Sequence, residues 1–399
     1  MKHLIIGNSA AGVNAALTIG SLKPEDEVTI VGEEPYPYYG RVLTSYYIDG
    51  RVNDKVIFLV NKEFYESKRI RMIIGTKVTS IDFAEKKALL QNKSLEYDRL
   101  LIATGAAPQK LGVEGEEKKG AFNLRTIDDA RGIRNYASNA KRALLIGGGL
   151  VSMKAFEALH NLGIKCTFVV SSPQFLSQAL DSESAEVVAA SVSSMGAEVL
   201  FNSNVNRIEG DGRAERVLLD DGRRIDTDMV VVGKGVKPNT ELLETSEARI
   251  NRGIVVDRHM QVFDSVYAAG DVAEAFDLLR NESRVNALWP IACEQGMIAG
   301  CNMAGYEREY AGAIQMNALT IGKMNLFSIG LTKGCEAVTQ KGPYRKLFFK
   351  GDRLVGAVLF GDQPAGILRK AIVKGADIKD CTGGDLLTMG AEKTYRIYN

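Results

Sequence analysis

Three short glycine-bearing stretches hold the residues best suited to chemistry. Gly7-Asn8-Ser9-Ala10-Ala11-Gly12 follows the apolar run Leu4-Ile5-Ile6 and opens a small-residue helical stretch through Leu22. Gly147-Gly148-Gly149-Leu150-Val151-Ser152 follows Ala143-Leu144-Leu145-Ile146 and opens a helix to Leu162. Val266-Tyr267-Ala268-Ala269-Gly270-Asp271 is a strand ending in Gly-Asp. A strand that turns on glycine into a helix presents free backbone N–H groups and the positive end of a helix dipole, a setting for a pyrophosphate. The first glycine permits the tight turn, the second lets backbone approach the phosphate, and the third lets helix and strand pack closely. In the first stretch Ser9 replaces the middle glycine, a small substitution that still admits phosphate. Glu33 lies 21 residues after Gly12, the spacing of an acid that takes ribose hydroxyls. Asp271 is open to two readings, an acceptor for sugar hydroxyls or the N-cap of a following helix.

These stretches sit in elements that occur twice. The first copy runs strand, glycine turn, helix, then the strand Val28-Thr29-Ile30-Val31, and closes with Tyr97 to Ile102 entering Ala103-Thr104-Gly105. The second repeats the order, with Cys166 to Val170 as its second strand and Asp228 to Val232 entering Gly233. The first glycines are 140 residues apart, so the repeat is domain-sized. Strand–turn–helix–strand twice over predicts an α/β fold with two Rossmann-like dinucleotide-binding domains. Arg207 to Glu215 reads as a hairpin, and Glu114 to Lys119 as a solvated interdomain loop.

Composition removes several classes. With 399 residues the chain holds two or three domains. Its net charge of +1 gives no basic field for nucleic acid or an anionic membrane. The five cysteines, Cys166, Cys293, Cys301, Cys335 and Cys381, include no C-x-x-C pair, which argues against a disulfide framework, a zinc ribbon or an iron–sulfur cluster. No metal site is expected, and reduced thiols fit a cytoplasmic protein. No apolar run approaches the ~18 residues of a membrane span. The apolar start breaks at Gly7-Asn8, too early for a signal peptide, so secretion is not expected.

The ordered combination resembles the pyridine nucleotide–disulfide oxidoreductase superfamily of flavoproteins. It is most similar to the branch without a redox disulfide: rubredoxin reductases, oxygenase-type ferredoxin reductases and the flavin part of nitrite reductases. The resemblance covers nearly the whole chain. It rests on Gly7 to Gly12, Glu33, Ala103-Thr104-Gly105, Gly147 to Gly149, Gly235-Val236-Lys237-Pro238-Asn239, Ala269-Gly270-Asp271 and Leu288-Trp289-Pro290 leading to Glu294-Gln295-Gly296. It implies an FAD domain at 1–110 and 237–310, an inserted NAD(P) domain at 111–236, and a C-terminal α/β domain at 311–399 that covers the flavin or dimerises. For FAD the implied residues are Gly7, Ser9, Ala10, Ala11, Gly12, Glu33, Arg41, Ala103, Thr104, Gly105, Gly270, Asp271 and Pro290. For NAD(H) or NADP(H) they are Gly147, Gly149, Leu150, Val151, Ser171, Gly233 and Gly235. The helix from Pro290 would aim its positive end at the flavin, although a helix start with a packed aromatic reads equally well locally.

The departures from the family are informative. Disulfide reductases of the superfamily need a cysteine pair beside the flavin, and single-cysteine relatives carry theirs where Val42 stands here. No cysteine precedes Cys166, so thiol chemistry at the flavin is not expected. In the second glycine stretch the third position is Ser152, which is expected to crowd helix against strand. The ribose-binding acid aligns with Val170, followed by Ser171-Ser172 with no arginine through 175. That leaves NADH and NADPH undistinguished and weakens binding by about 1.5–3 kcal/mol for the lost charge-assisted contact. Ferredoxin reductases carry a lysine where Ser45 stands and a glutamate where Lys154 stands. Lys154 is either a cation at the flavin–nicotinamide contact or a solvated first-turn lysine.

The function expected is FAD-dependent exchange of hydride with NAD(P)H and of single electrons with a small redox protein of rubredoxin or iron–sulfur type, in either direction, with a second copy of the chain as a further expected partner. Two alternatives stand beside it: an electron-transfer subunit of a larger metalloenzyme with a degenerate nicotinamide site, and an oxidase passing electrons to oxygen.

Overall fold

The computed structural model describes residues 1–363 and 365–375. Cys381 and the end of the expected 311–399 domain lie outside the described residues. The chain divides into two compact units, one of residues 1–43, 52–107 and 236–313, the other of 44–51, 108–235 and the chain from 314 on.

The first unit is built on a six-stranded sheet in the order Gln261–Phe263, Val266–Ala268, Arg99–Ile102, Lys2–Ile6, Glu27–Val31, Ile70–Ile73. The four strands from Arg99 to Ile73 in that order, and Val266–Ala268 beside them, pair in parallel; Leu4 lies between Leu100 and Thr29. Leu4, Ile5, Leu100, Leu101 and Ile102 are all buried, the continuous apolar run of a strand covered on both faces. The helix Ala10–Leu22 packs against the helix Trp289–Met303 through small residues. A Cβ at Gly296 would lie 2.2 Å from the Ala11 carbonyl oxygen, and one at Gly300 2.7 Å from that of Ala15. The aromatic segment Tyr36–Tyr39 packs on its own unit: Phe58 meets Tyr36 and Tyr39 at about 6 Å between ring centres, the spacing of aromatic pairs.

The second unit repeats the parallel pattern in five strands, ordered Glu198–Phe201, Lys165–Val170, Arg142–Ile146, Met229–Val232, Ala121–Asn123. Leu144 lies between Thr167 and Val230, as Leu4 lies between its neighbours. The expected hairpin is present, formed by Val205–Glu209 against Arg216–Leu219. Glu114 to Lys119 does not run free. It is pinned beside that hairpin by bridges from Glu114 to Arg207 and Lys119 to Arg213, with Gly115 at φ +86° against the Ile208 carbonyl. A five-stranded antiparallel sheet comes next in the chain, ordered Met316–Ile321, Met324–Gly330, Arg353–Phe360, Arg345–Lys350, Glu336–Gln340. Residues 44–51 join this unit because Arg51 pairs with the buried Glu157 at 2.8 Å and Arg134 donates to the Tyr47 carbonyl at 3.3 Å.

Candidate functional site

In the first unit the glycine turn has backbone walls. Gly7 is at φ +125°, and a Cβ there would stand 2.0 Å from the Ala103 carbonyl oxygen. A Cβ at Gly12 would stand 1.9 Å from the Gly7 carbonyl oxygen. No side chain fits at either point, so strand end, turn and helix start pack main chain on main chain. Ser9 is the extended N-cap of the helix Ala10–Leu22, but its hydroxyl makes no cap bond. It accepts instead from Arg41 Nε at 3.4 Å. The N–H groups of the first helical turn, from Ala10 and Ala11 onward, have no partner within the helix and face any ligand at the turn.

Arg41 is tied down. It forms an ion pair with Glu34 and stacks over the Tyr39 ring at 5.1 Å, while the Tyr39 hydroxyl donates to Glu34 at 2.6 Å. Burial pulls the Arg41 pKa down, but Tyr39, Glu34 and Asp271 more than offset it, so the guanidinium stays charged. Glu33 ends the neighbouring strand exposed to solvent, 3.4 Å from Lys77. Sequence spacing found Glu33 and missed Glu34, whose role depends on the Arg41–Tyr39 fold-back.

The third glycine site resolves the two readings of Asp271 against the cap. The residues after it form the strand Ala273–Asp277, so no helix is there to cap. Gly270, at φ +84°, donates its N–H to the buried Gln295 side chain at 2.9 Å. Gln295 lies on the helix Trp289–Met303, whose first turn holds Pro290. Trp289 Nε1 donates to the Tyr38 hydroxyl at 3.0 Å. Thr104 and Asn239 exchange side-chain-to-backbone bonds at 2.8 and 3.0 Å, and Asn239 N–H reaches the Gly105 carbonyl at 3.0 Å. Gln295 and Asn239 therefore hold two of the turns. Backbone N–H groups, a charged arginine and an aspartate at these turns suit a ligand with a pyrophosphate and a polyhydroxyl chain.

In the second unit Gly147 is at φ +105°, with its virtual Cβ 2.5 Å from the Gly233 carbonyl oxygen. Ser152 does not crowd the strand as expected. Its hydroxyl donates to the Ile146 carbonyl at 3.3 Å, and the space it needs is left by Gly233, where a Cβ would stand 2.1 Å from Ser152 Oγ. Gly149 is the extended N-cap of the helix Leu150–Asn161, with partly exposed Leu150 and Val151 in its first turn. Val170 is buried against Gly148, and Ser171 is exposed. Gly235, at φ +92°, accepts from Gln109 N–H at 2.9 Å.

Lys154 lies half-buried on that helix, with its ammonium 5.4 Å from the Tyr46 ring centre. Arg51 stacks on the same ring at 4.3 Å. No carboxylate forms an ion pair with Lys154 among the described residues. Burial lowers its pKa, Glu157 pulls it back up and Arg51 lowers it further. A solvated first-turn lysine does not describe this environment. Ser45 Oγ and Glu157 Oε2, in the same unit, are buried without partners.

Among the described residues no group of three or more His, Cys, Asp or Glu side chains is placed to hold a metal, and no helix is long and apolar enough to cross a membrane. Cys166, Cys293, Cys301 and Cys335 are free thiols, and burial pushes Cys166 up to about 12. Val42 is exposed.

The family model described as pyridine nucleotide-disulphide oxidoreductase matches residues 1–296, and the one described as rubredoxin NAD+ reductase C-terminal domain matches residues 316–376. The chain is 31% identical over 372 residues to the assimilatory nitrate reductase electron transfer subunit of Bacillus subtilis (strain 168), across 90% of this chain and 48% of that protein. It is 32% identical over 389 residues to the NAD(P)H nitrite reductase of the same organism, across 94% of this chain and 48% of that protein. The chain thus spans about half the length of these curated relatives. The solved structure of an NAD-dependent persulfide reductase from A. fulgidus superposes with a TM-score of 0.89 at 27% identity, covering 97% of this chain and 79% of that one.

Proposed function

The chain belongs to the pyridine nucleotide-disulphide oxidoreductase family, and on that premise we propose that it is an FAD-dependent NAD(P)H oxidoreductase serving a small one-electron redox protein. The observation that carries this reading is the pair of backbone-walled glycine turns, one in each unit. FAD, when bound, accepts a hydride from the reduced nicotinamide nucleotide and releases its two electrons singly, with loss of one proton. In the first unit Gly7, Ser9, Ala10, Ala11 and Gly12 would hold its pyrophosphate, Glu33 its ribose, and Gly270 and Asp271 its ribityl phosphate arm. Ala103, Thr104 and Gly105 shape the adjoining turn, Arg41 supplies fixed positive charge, and the helix that starts at Pro290 supplies a positive dipole end. In the second unit Gly147, Gly149, Leu150 and Val151 would take the nicotinamide nucleotide's pyrophosphate, with Gly233 and Gly235 beside it and Ser171 at the ribose. Burial and Arg51 disfavour the charged form of Lys154, a cost that an anionic neighbour would relieve.

The domain boundaries accord with the same reading: 1–110 with 237–310 for FAD, 111–236 for the nucleotide, and 311–399 as a cover or dimerisation domain. The match of 316–376 to a rubredoxin reductase C-terminal domain supports a rubredoxin-type partner. With free thiols throughout the described residues, a cytoplasmic location fits.

A second reading, an electron-transfer subunit of a larger metalloenzyme, draws on the likeness to the nitrate reductase subunit and on Val170 in place of the ribose acid. Anaerobic titration of the flavin-loaded protein with NADPH and NADH separates the two. Stoichiometric bleaching followed by reduction of an added rubredoxin is expected. Flavin that dithionite reduces but neither nucleotide bleaches would favour the subunit.

A further inference from the structure

We propose that the second nucleotide site takes a 2′-phosphorylated dinucleotide, NADPH, and that Lys333, in the connection after the strand Met324–Gly330, supplies a cation for the 2′-phosphate. The proposal rests on the oxidoreductase reading and names its substrate.

The end of the strand Lys165–Val170 is where the two nucleotides differ. An acid there accepts the ribose hydroxyls of NADH and repels a 2′-phosphate. Val170 is 1% exposed and packs on Gly148, so neither effect operates. The residues after it form a loop that folds back on the glycine turn. Leu176 N–H donates to the Gly148 carbonyl at 2.8 Å, and Gln174 Nε2 closes the loop on the Leu180 carbonyl at 3.1 Å.

The antiparallel sheet and the connection after it hold this loop through the Ser177 and Ala179 carbonyls. Ser328 and Thr332 hydroxyls donate to the Ala179 carbonyl at 2.6 and 3.1 Å. Lys346 is buried and pairs with Asp181 and Glu183, each at 2.6 Å, so its charge is already neutralised. Lys333, in the connection after Met324–Gly330, donates to the Ser177 carbonyl, the residue next to Leu176. It is exposed, and no carboxylate pairs with it among the described residues. Its ammonium has three donors, and one is used. Arg223, which reaches Ser203 beside Val170, is already paired with Asp221 at 2.6 Å. The loop that ends the nucleotide strand therefore carries an uncompensated cation and the exposed Ser171 hydroxyl, with no acid at 170. That combination suits a phosphate monoester and not a bare ribose.

Equilibrium binding of 2′,5′-ADP and of 5′-ADP to the FAD-loaded protein, with the flavin turn filled, tests this without turnover. The expected result is 2′,5′-ADP binding at least tenfold tighter, a preference that falls with salt. Lys333→Met should cost about tenfold for 2′,5′-ADP, one charge-assisted contact, and leave 5′-ADP unchanged. Val170→Asp should reverse the preference. Equal binding of the two by the native chain, or an equal loss of both in Lys333→Met, overturns the proposal. If neither probe binds and neither nucleotide bleaches the flavin, the oxidoreductase reading falls with it. Bleaching by NADH alone would overturn only the choice of NADPH.

Discussion

The two glycine turns solve one steric problem in two ways. In the first, Gly12 clears the helix from the strand and the facing strand ends in Ala103. In the second, the serine at 152 keeps its side chain, and the facing strand gives up its own at Gly233. At the second turn the glycine that makes room lies on the facing strand, not in the turn itself. A motif count that looks only along the turn sees a defect at Ser152; the packing shows a compensated pair. The turns differ also in the residue two places beyond the matched strand positions Val31 and Val169: an acid in the first copy, Glu33, and the exposed Ser171 in the second.

That comparison breaks most visibly at Gly12. Gly12→Ala places a Cβ 1.9 Å from a backbone oxygen that cannot yield, so denaturant unfolding should show a loss of about 3 kcal/mol or more, with flavin released. Gly233→Ala meets the Ser152 hydroxyl at 2.1 Å, a flexible neighbour. We expect about 2 kcal/mol, most of it recovered in the double variant with Ser152→Gly. Additive losses in that cycle would show that the two positions are independent.

A smaller effect is expected at Lys154. Burial holds its folded pKa below the unfolded value, so folding releases protons in the window between them. Stability therefore rises with pH up to the ordinary lysine value of about 10.4. Lys154→Met should flatten that slope, measured by denaturant unfolding at a series of pH values. An unchanged slope would show that burial of its ammonium does not govern stability. Smallest is Glu33→Gln. The pair with Lys77 is exposed on both sides, so stability should move by less than about 0.5 kcal/mol while FAD affinity falls.

Much of the fold was legible because parallel strands buried on both faces spell continuous apolar runs, and glycine turns succeed them at fixed positions. The strand expected over 143–146 runs Arg142–Ile146, the helix expected after the second glycine stretch runs Leu150–Asn161, and the hairpin expected over 207–215 joins Val205–Glu209 to Arg216–Leu219. The residues that hold the turns were not legible. Gln295 reaches Gly270 across 25 positions and Asn239 reaches Thr104 across 135, and no local periodicity encodes such pairs. Glu34 was hidden behind Glu33 because spacing finds the strand end but not the side chain that folds back on Arg41. The relief of Ser152 by Gly233 was hidden for the same reason: it belongs to a contact across 81 positions of the sequence.

The central claim is a division of labour, with FAD at the first turn and a nicotinamide nucleotide at the second. Ser9 and Gly149 are both extended N-caps, and aspartate is a favourable residue there, so Ser9→Asp and Gly149→Asp should fold while placing a carboxylate against the incoming phosphates. The deciding measurement is flavin content together with anaerobic bleaching by NADPH in the two variants. Ser9→Asp should lose its flavin, whereas Gly149→Asp should keep one flavin per chain that dithionite reduces and NADPH does not. Flavin loss from Gly149→Asp with full flavin in Ser9→Asp, or undiminished bleaching in both, would contradict the assignment.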